Sequence, residues 1–159
     1  MRAGFLSRRI VIPILDLLRQ GITPEKIALS IALGIALGVT PVLGSTSILC
    51  FLAAVVFRLN VPAVQLVNYF MYPLQFALLI PFIRMGEWIF AARHASLSVA
   101  QIVNLIRADV WRAIAILWTA TMHALVAWLA IGSLASLVIY LLLAPVLRKL
   151  GAALRAEAA

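Results

Sequence analysis

From Ile27 to Phe57 the chain runs thirty-one residues without a charge, and in the middle of that run stands Thr40-Pro41-Val42-Leu43-Gly44-Ser45. The run is long enough for a membrane span. Pro41 removes a backbone N–H and steers Thr40 away from helical angles, and Gly44 suits the turn that follows. A helix is therefore expected to stop near Val39 and a second to start near Ser45. Each half has about 12 residues, or about 18 Å, too short for a ~30 Å hydrocarbon core. Broken backbone at membrane depth is tolerated only where protein or water satisfies it. The break is where a function would be sought.

Hydrophobic residues make up 65% of the chain, charged residues 11%, and the mean hydropathy is +1.14, outside the range of soluble domains. One membrane domain over residues 1–159 is expected. The net charge of +8 does not point to nucleic acid, because the 13 Lys and Arg residues flank apolar stretches rather than forming a basic face with aromatics. That placement follows the positive-inside pattern and suits anionic lipid headgroups. Cys50 is the only cysteine, so no internal disulfide forms.

Residues 1–20 carry Arg2, Arg8, Arg9 and Arg19 around a short apolar run. Pro13 and Asp16 interrupt it and no small-x-small site follows, so an interfacial helix is expected rather than a signal peptide. Residues 21–90 form the broken-helix core. Thr23 can cap a helix with Pro24 at its first position and Glu25 near its positive end. Ser30, Gly34 and Gly38 recur at spacing four and would let another helix approach closely. Beyond the break, Ser45, Thr46 and Ser47 open the second half; their hydroxyls either cap it or leave its N–H groups to a ligand.

Arg58-Leu59-Asn60-Val61-Pro62 reads as a polar connector. The next unit, Pro62 to Ile83, contains Gln65, Asn68 and Gln75, with Tyr72-Pro73 at its centre and Pro81 later. Three amides and two prolines predict a second broken unit. Residues 91–110 are the most polar stretch and read as an amphipathic surface helix. Residues 111–150 read as a transmembrane helical hairpin that turns at Gly132-Ser133, with one long bent helix as the alternative; Trp111 and Trp128 would mark its two aromatic belts. Residues 151–159 form a tail.

Basic clusters before Ile27, between Arg84 and Arg112, and after Leu147 are all expected on the cytoplasmic side, with both termini. Each apolar block must then return to the side it left, by a re-entrant hairpin or by two crossings. The expected fold is all-α: a polytopic integral membrane protein with two Pro/Gly-broken hydrophobic units followed by a helical hairpin.

Reactive constellations are few. Asp16, Glu25, Glu87, Asp109 and Glu157 all lie outside the apolar blocks, so no mid-membrane proton relay is expected. No HExxH, GxSxG or P-loop occurs, and no catalytic residue, metal site or cofactor is expected. His94 reads as a surface residue; His123, mid-span near Thr119 and Thr121, reads either as a functional candidate by its depth or as a neutral histidine bonded across helices, the second being favoured. The better constellation is distributed over Pro41, Gly44, Ser45, Thr46, Ser47, Arg58, Asn60, Asn68, Arg84 and Glu87, with Gln75 opposite. Arginine matches phosphate bidentately and a helix N-terminus adds fixed donors, so an anionic lipid headgroup is the expected ligand. As interfacial anchors, Arg58 and Arg84 would instead snorkel to headgroups.

Gly34, Gly38, Pro41 and Gly44, then Arg58 and Asn60, then Asn68, Pro73 and Gly86 follow the pattern of a bacterial membrane family, domain of unknown function 2062, which the chain resembles over roughly residues 20–90. Many members have the Asn and Pro of the last group adjacent; here they are separated. The resemblance implies a bacterial inner-membrane protein, found in some cases beside or fused to cell-envelope glycosyltransferases, and implies no activity. Two functions are expected from the residues: a small transporter or flippase-like protein for a polyprenyl phosphate or phospholipid, or a non-catalytic scaffold of an envelope-synthesis complex. The partners would be membrane lipids, a second copy or such an enzyme.

Overall fold

The computed structural model describes residues 22–91, 104 and 107–157. The expected surface helices at 1–20 and 91–110, His94 with them, lie wholly or mostly outside these residues. Among the described residues four helices follow in order: α1, Pro24–Gly38; α2, Thr46–Val56; α3, Val61–Ile89; and α4, Val110–Glu157.

α1 begins as its sequence dictates. Thr23 is extended and its Oγ1 accepts from the Lys26 N–H at 3.4 Å, with Pro24 in the first turn. It stops at Gly38, just before Pro41. Gly44 takes φ +85° with open space where a Cβ would sit, so conformation alone asks for glycine there. α2 runs only 11 residues, about 16 Å. It closes with the Leu59 N–H on the Ala54 carbonyl at 2.8 Å and the Arg58 N–H on Val55 at 3.2 Å. Arg58, φ 51°, fills the left-handed position that glycine usually takes in this motif.

Two expectations fail. The second unit is not broken: α3 is one helix of 29 residues with Pro73 and Pro81 inside it. Both prolines are exposed, while Asn68 and Gln75 are buried and bonded to the hairpin. Nor does the chain turn at Gly132-Ser133: α4 is a single helix of 48 residues, which is the alternative of one long helix. Gly132 is buried beneath the Trp128 indole, 3.1 Å from where its Cβ would stand, so this glycine serves packing. Trp128 is thereby drawn inward, and does not form an outer belt with Trp111, which is 81% exposed.

Contacts fix the topology. Gly34 meets Val67 and Gly38 meets Met71, so α1 and α3 run parallel. Ser47 meets Gln65 and Asn68, while Cys50 and Ala54 share a core cluster with Leu59 and Val64; α2 therefore runs antiparallel to both. α4 is antiparallel to α1: Ile27 and Ala28 pack with Ala144 and Leu147, and Val39 packs with Ala124 and Ala127. The α1–α2 hairpin thus returns to the end it left, where Glu25 pairs with Arg148. α3 does not return. It carries Arg84 about 35 Å along its axis from Val61, so the three basic clusters do not share one end of the molecule.

α3 and α4 are both long and apolar enough to cross a membrane, and only 17% of each apolar window is buried. The core helix of a soluble protein would be mostly covered, whereas here large apolar side chains face outward all along both.

Candidate functional site

Ending α1 inside the bundle strands the carbonyls of its last turn, which away from water must find donors. Two donors from the rest of the fold and one from the break itself meet them or the break beyond. The Trp128 indole N–H donates to the Ala36 carbonyl at 2.8 Å. The Thr40 hydroxyl donates to Leu37 at 2.7 Å, and the Gln75 amide donates to the Thr40 carbonyl at 2.8 Å.

Gln65, Asn68, Tyr72 and Gln75 fall at spacings of three and four, on the one face of α3 that looks at the break. Gln65 Nε2 donates to the Ser47 carbonyl at 2.8 Å. Asn68 Nδ2 reaches both Gln65 Oε1 and Ser47 Oγ at 3.3 Å, and Ser47 Oγ lies 3.4 Å from the Tyr72 hydroxyl. Thr40, Thr46, Asn68 and Gln75 are all at most 2% exposed. This is a largely buried polar ladder inside an apolar fold, and it fastens the break to α3.

The start of α2 is left without a side-chain cap. Ser45 is helical rather than extended, and its hydroxyl turns back to the Val42 carbonyl at 2.9 Å. Among the described residues two buried side-chain atoms find no partner, Thr46 Oγ1 and Asn68 Oδ1, and both flank Ser47.

The ten residues expected around one headgroup divide into three places. Pro41, Gly44, Ser45, Thr46, Ser47 and Asn68 do gather at the break, with Pro41 buried and Gly44 exposed at the tip. Arg58 and Asn60 stand at the other end of α2, where Arg58 is exposed and Asn60 Oδ1 caps α3 by accepting from Ala63 N–H at 2.9 Å. Arg84 is exposed farther along α3, about 14 Å past Gln75. Glu87 is buried near it, 6% exposed, and is engaged. Thr40, Gln65 and Tyr72 belong to the ladder and were not among the expected site residues. Their signal was the amide stripe at helical spacing, read instead as evidence of a broken helix.

The glycines set how closely these parts approach. A Cβ on Gly34 or Gly38 would stand 2.8 Å from the Cβ of Val67 or Met71, and one on Gly86 would run into the backbone of His123. His123 itself is half-buried and stacks on Phe90 with ring centroids 4.5 Å apart. Among the described residues no three His, Cys, Asp or Glu side chains gather as a metal site.

The family model described as "Uncharacterized protein conserved in bacteria (DUF2062)" matches residues 8–153. No curated protein and no solved structure matches the chain.

Proposed function

The chain belongs to this bacterial family, and from that premise we propose that it is a multi-pass inner-membrane protein that handles the headgroup of an anionic lipid, as a small transporter or flippase. The observation that carries the reading is the depth of the polar break. Asn60 and Trp88 bound α3 at about 42 Å, the thickness of a bilayer with its headgroups. Their midpoint falls beside Gln75, the residue that holds the Thr40 carbonyl. On this reading α1 and α2 form a re-entrant hairpin whose tip reaches the membrane centre, the arrangement in which discontinuous helices hold ligands in transporters.

On this reading Lys26, Arg58, Arg148 and Lys149 mark the cytoplasmic end, with the start of α1 and the end of α4. Arg84 marks the opposite face. The two arginines are then separate stations, one at each interface, with the uncapped start of α2 between them. A groove of about 340 Å³ between α1 and α4, lined by Leu33, Ala36, Leu37, Trp128 and Tyr140 among others, opens below the break and suits part of a lipid chain.

The test is transbilayer movement of a fluorescent phosphatidylglycerol in vesicles carrying the purified protein. Movement several-fold faster than in protein-free vesicles, and slowed in Arg58→Ala and Arg84→Ala, is expected. Equal rates with and without protein, together with no anionic lipid in the purified protein, would overturn the reading. A scaffold role is the second reading. It is favoured by the exposed apolar side chains Trp111, Ile114 and Trp118, on the part of α4 that continues beyond its contact with Gly86. Crosslinking from that segment that recovers no envelope enzyme would count against it.

A further inference from the structure

The hydrogen bonds around Ser47 decide which way the Asn68 amide points. The Ser47 carbonyl can only accept, so Gln65 must turn its Nε2 toward it. That leaves Gln65 Oε1 facing Asn68, which must answer with its own Nδ2. Asn68 Oδ1 is therefore an acceptor, fully buried and without a partner. Thr46 Oγ1, one residue before Ser47, is in the same state.

Burying such atoms unpaired is costly. Thr46 lies one turn from Cys50 and Asn68 one turn from Val64, both toward the break, and Cys50 and Val64 share a core cluster, so the two residues fall in one layer between the helices. A bare anion does not fit, because Asn68 Oδ1 would repel it. What fits is an electron-pair acceptor. α1 also brings its carbonyl end to this place, since a Cβ on Gly38, its last residue, would sit 3.3 Å from Asn68 Cα. That negative helix end offsets the positive start of α2. Among the described residues no carboxylate stands here: Glu25 opens α1 at its far end, Glu87 lies three turns beyond Gln75, and Asp109 and Glu157 lie at the two ends of α4.

We propose that Asn68 Oδ1 and Thr46 Oγ1, with carbonyl oxygens of the break, bind a dehydrated monovalent cation of the size of sodium. Neutral oxygens at an unwound helix are the donor set that suits such an ion. Because no acid neutralises it, the bound cation leaves a positive centre in the middle of the fold, and it would raise the affinity of an anionic ligand there as that ligand raises its own. The site itself does not depend on the lipid reading, and the cation is measured on protein in detergent, without transport.

The experiment follows the melting temperature of the full chain as NaCl replaces choline chloride at constant ionic strength, with KCl as the comparison. A saturable rise of about 3–6 °C at ten times the apparent Kd is expected in sodium. Thr46→Ser keeps the response and Thr46→Val loses it. Asn68→Asp supplies a charge and shifts the sodium midpoint at least about tenfold lower. A wild-type melting temperature equal in all three salts overturns the proposal and leaves the two atoms to a buried water. So does a full sodium response in Thr46→Val, or an unshifted midpoint in Asn68→Asp.

Discussion

Arg58 sits where the chain least favours it. Its left-handed φ of 51° costs an L-residue about 1 kcal/mol that glycine would not incur, and its side chain is exposed. Arg58→Gly is therefore expected to raise stability by about 1 kcal/mol while slowing lipid movement, a combination that denaturation and vesicle assays read separately. A variant that is less stable would show that the guanidinium holds the fold. Gln75 is the opposite case. Gln75→Leu keeps the volume but leaves the Thr40 carbonyl without its donor, and a loss of about 1–3 kcal/mol is expected in a chemical-unfolding series. At this scale the sequence was legible wherever a residue has one backbone use: Thr23, Pro41, Gly44 and the glycines of α1 stand where their chemistry placed them. Gln65 and Tyr72 were not, because a polar side chain in an apolar run is equally compatible with a broken helix and with a partner across the fold.

Among the elements, the two misread helices share one cause. Proline and glycine interrupt a helix when nothing else holds it, and neighbours decide whether they do. In α3 Pro73 and Pro81 are exposed, while Asn68 and Gln75 are fixed to the hairpin, so the helix runs on. Pro73→Ala is expected to leave stability within about 0.5 kcal/mol or to raise it, as for an exposed site; a large loss would mean that a bend at Pro73 shapes the site. In α4 the helix continues because Gly132 admits the Trp128 ring, whose N–H serves the stranded Ala36 carbonyl. Gly132→Val should lift that ring and release the bond, lowering the melting temperature and moving the tryptophan emission together. Pro41, by contrast, did end its helix, since there the fold supplies donors to the carbonyls that the break exposes.

For the whole molecule, charge counting and geometry give different topologies, and the difference is measurable. The positive-inside pattern alone puts Arg84 on the side of Lys26 and Arg148, which requires the apolar block between Arg58 and Arg84 to turn back. The continuous α3 cannot turn back, so Arg84 and Trp88 stand at the face opposite Glu25 and Arg148. On the proposed orientation the pattern is kept in a weaker form: among the described residues Lys26, Arg58, Arg148 and Lys149 stand toward one end of the bundle and Arg84 and Arg112 toward the other. With Cys50 replaced by Ser, single cysteines at positions 60 and 148 should label from the cytoplasm and one at position 88 only from outside. A cysteine at position 45 should resist a membrane-impermeant reagent unless the break opens to water. Labelling of positions 60 and 88 from the same side would break the topology at α3, and with it the mid-depth placement on which the lipid reading stands. Position 60 labelling only from outside, with 88 inside, would keep that placement and invert the molecule, so that the basic hairpin ends face outward against the charge rule.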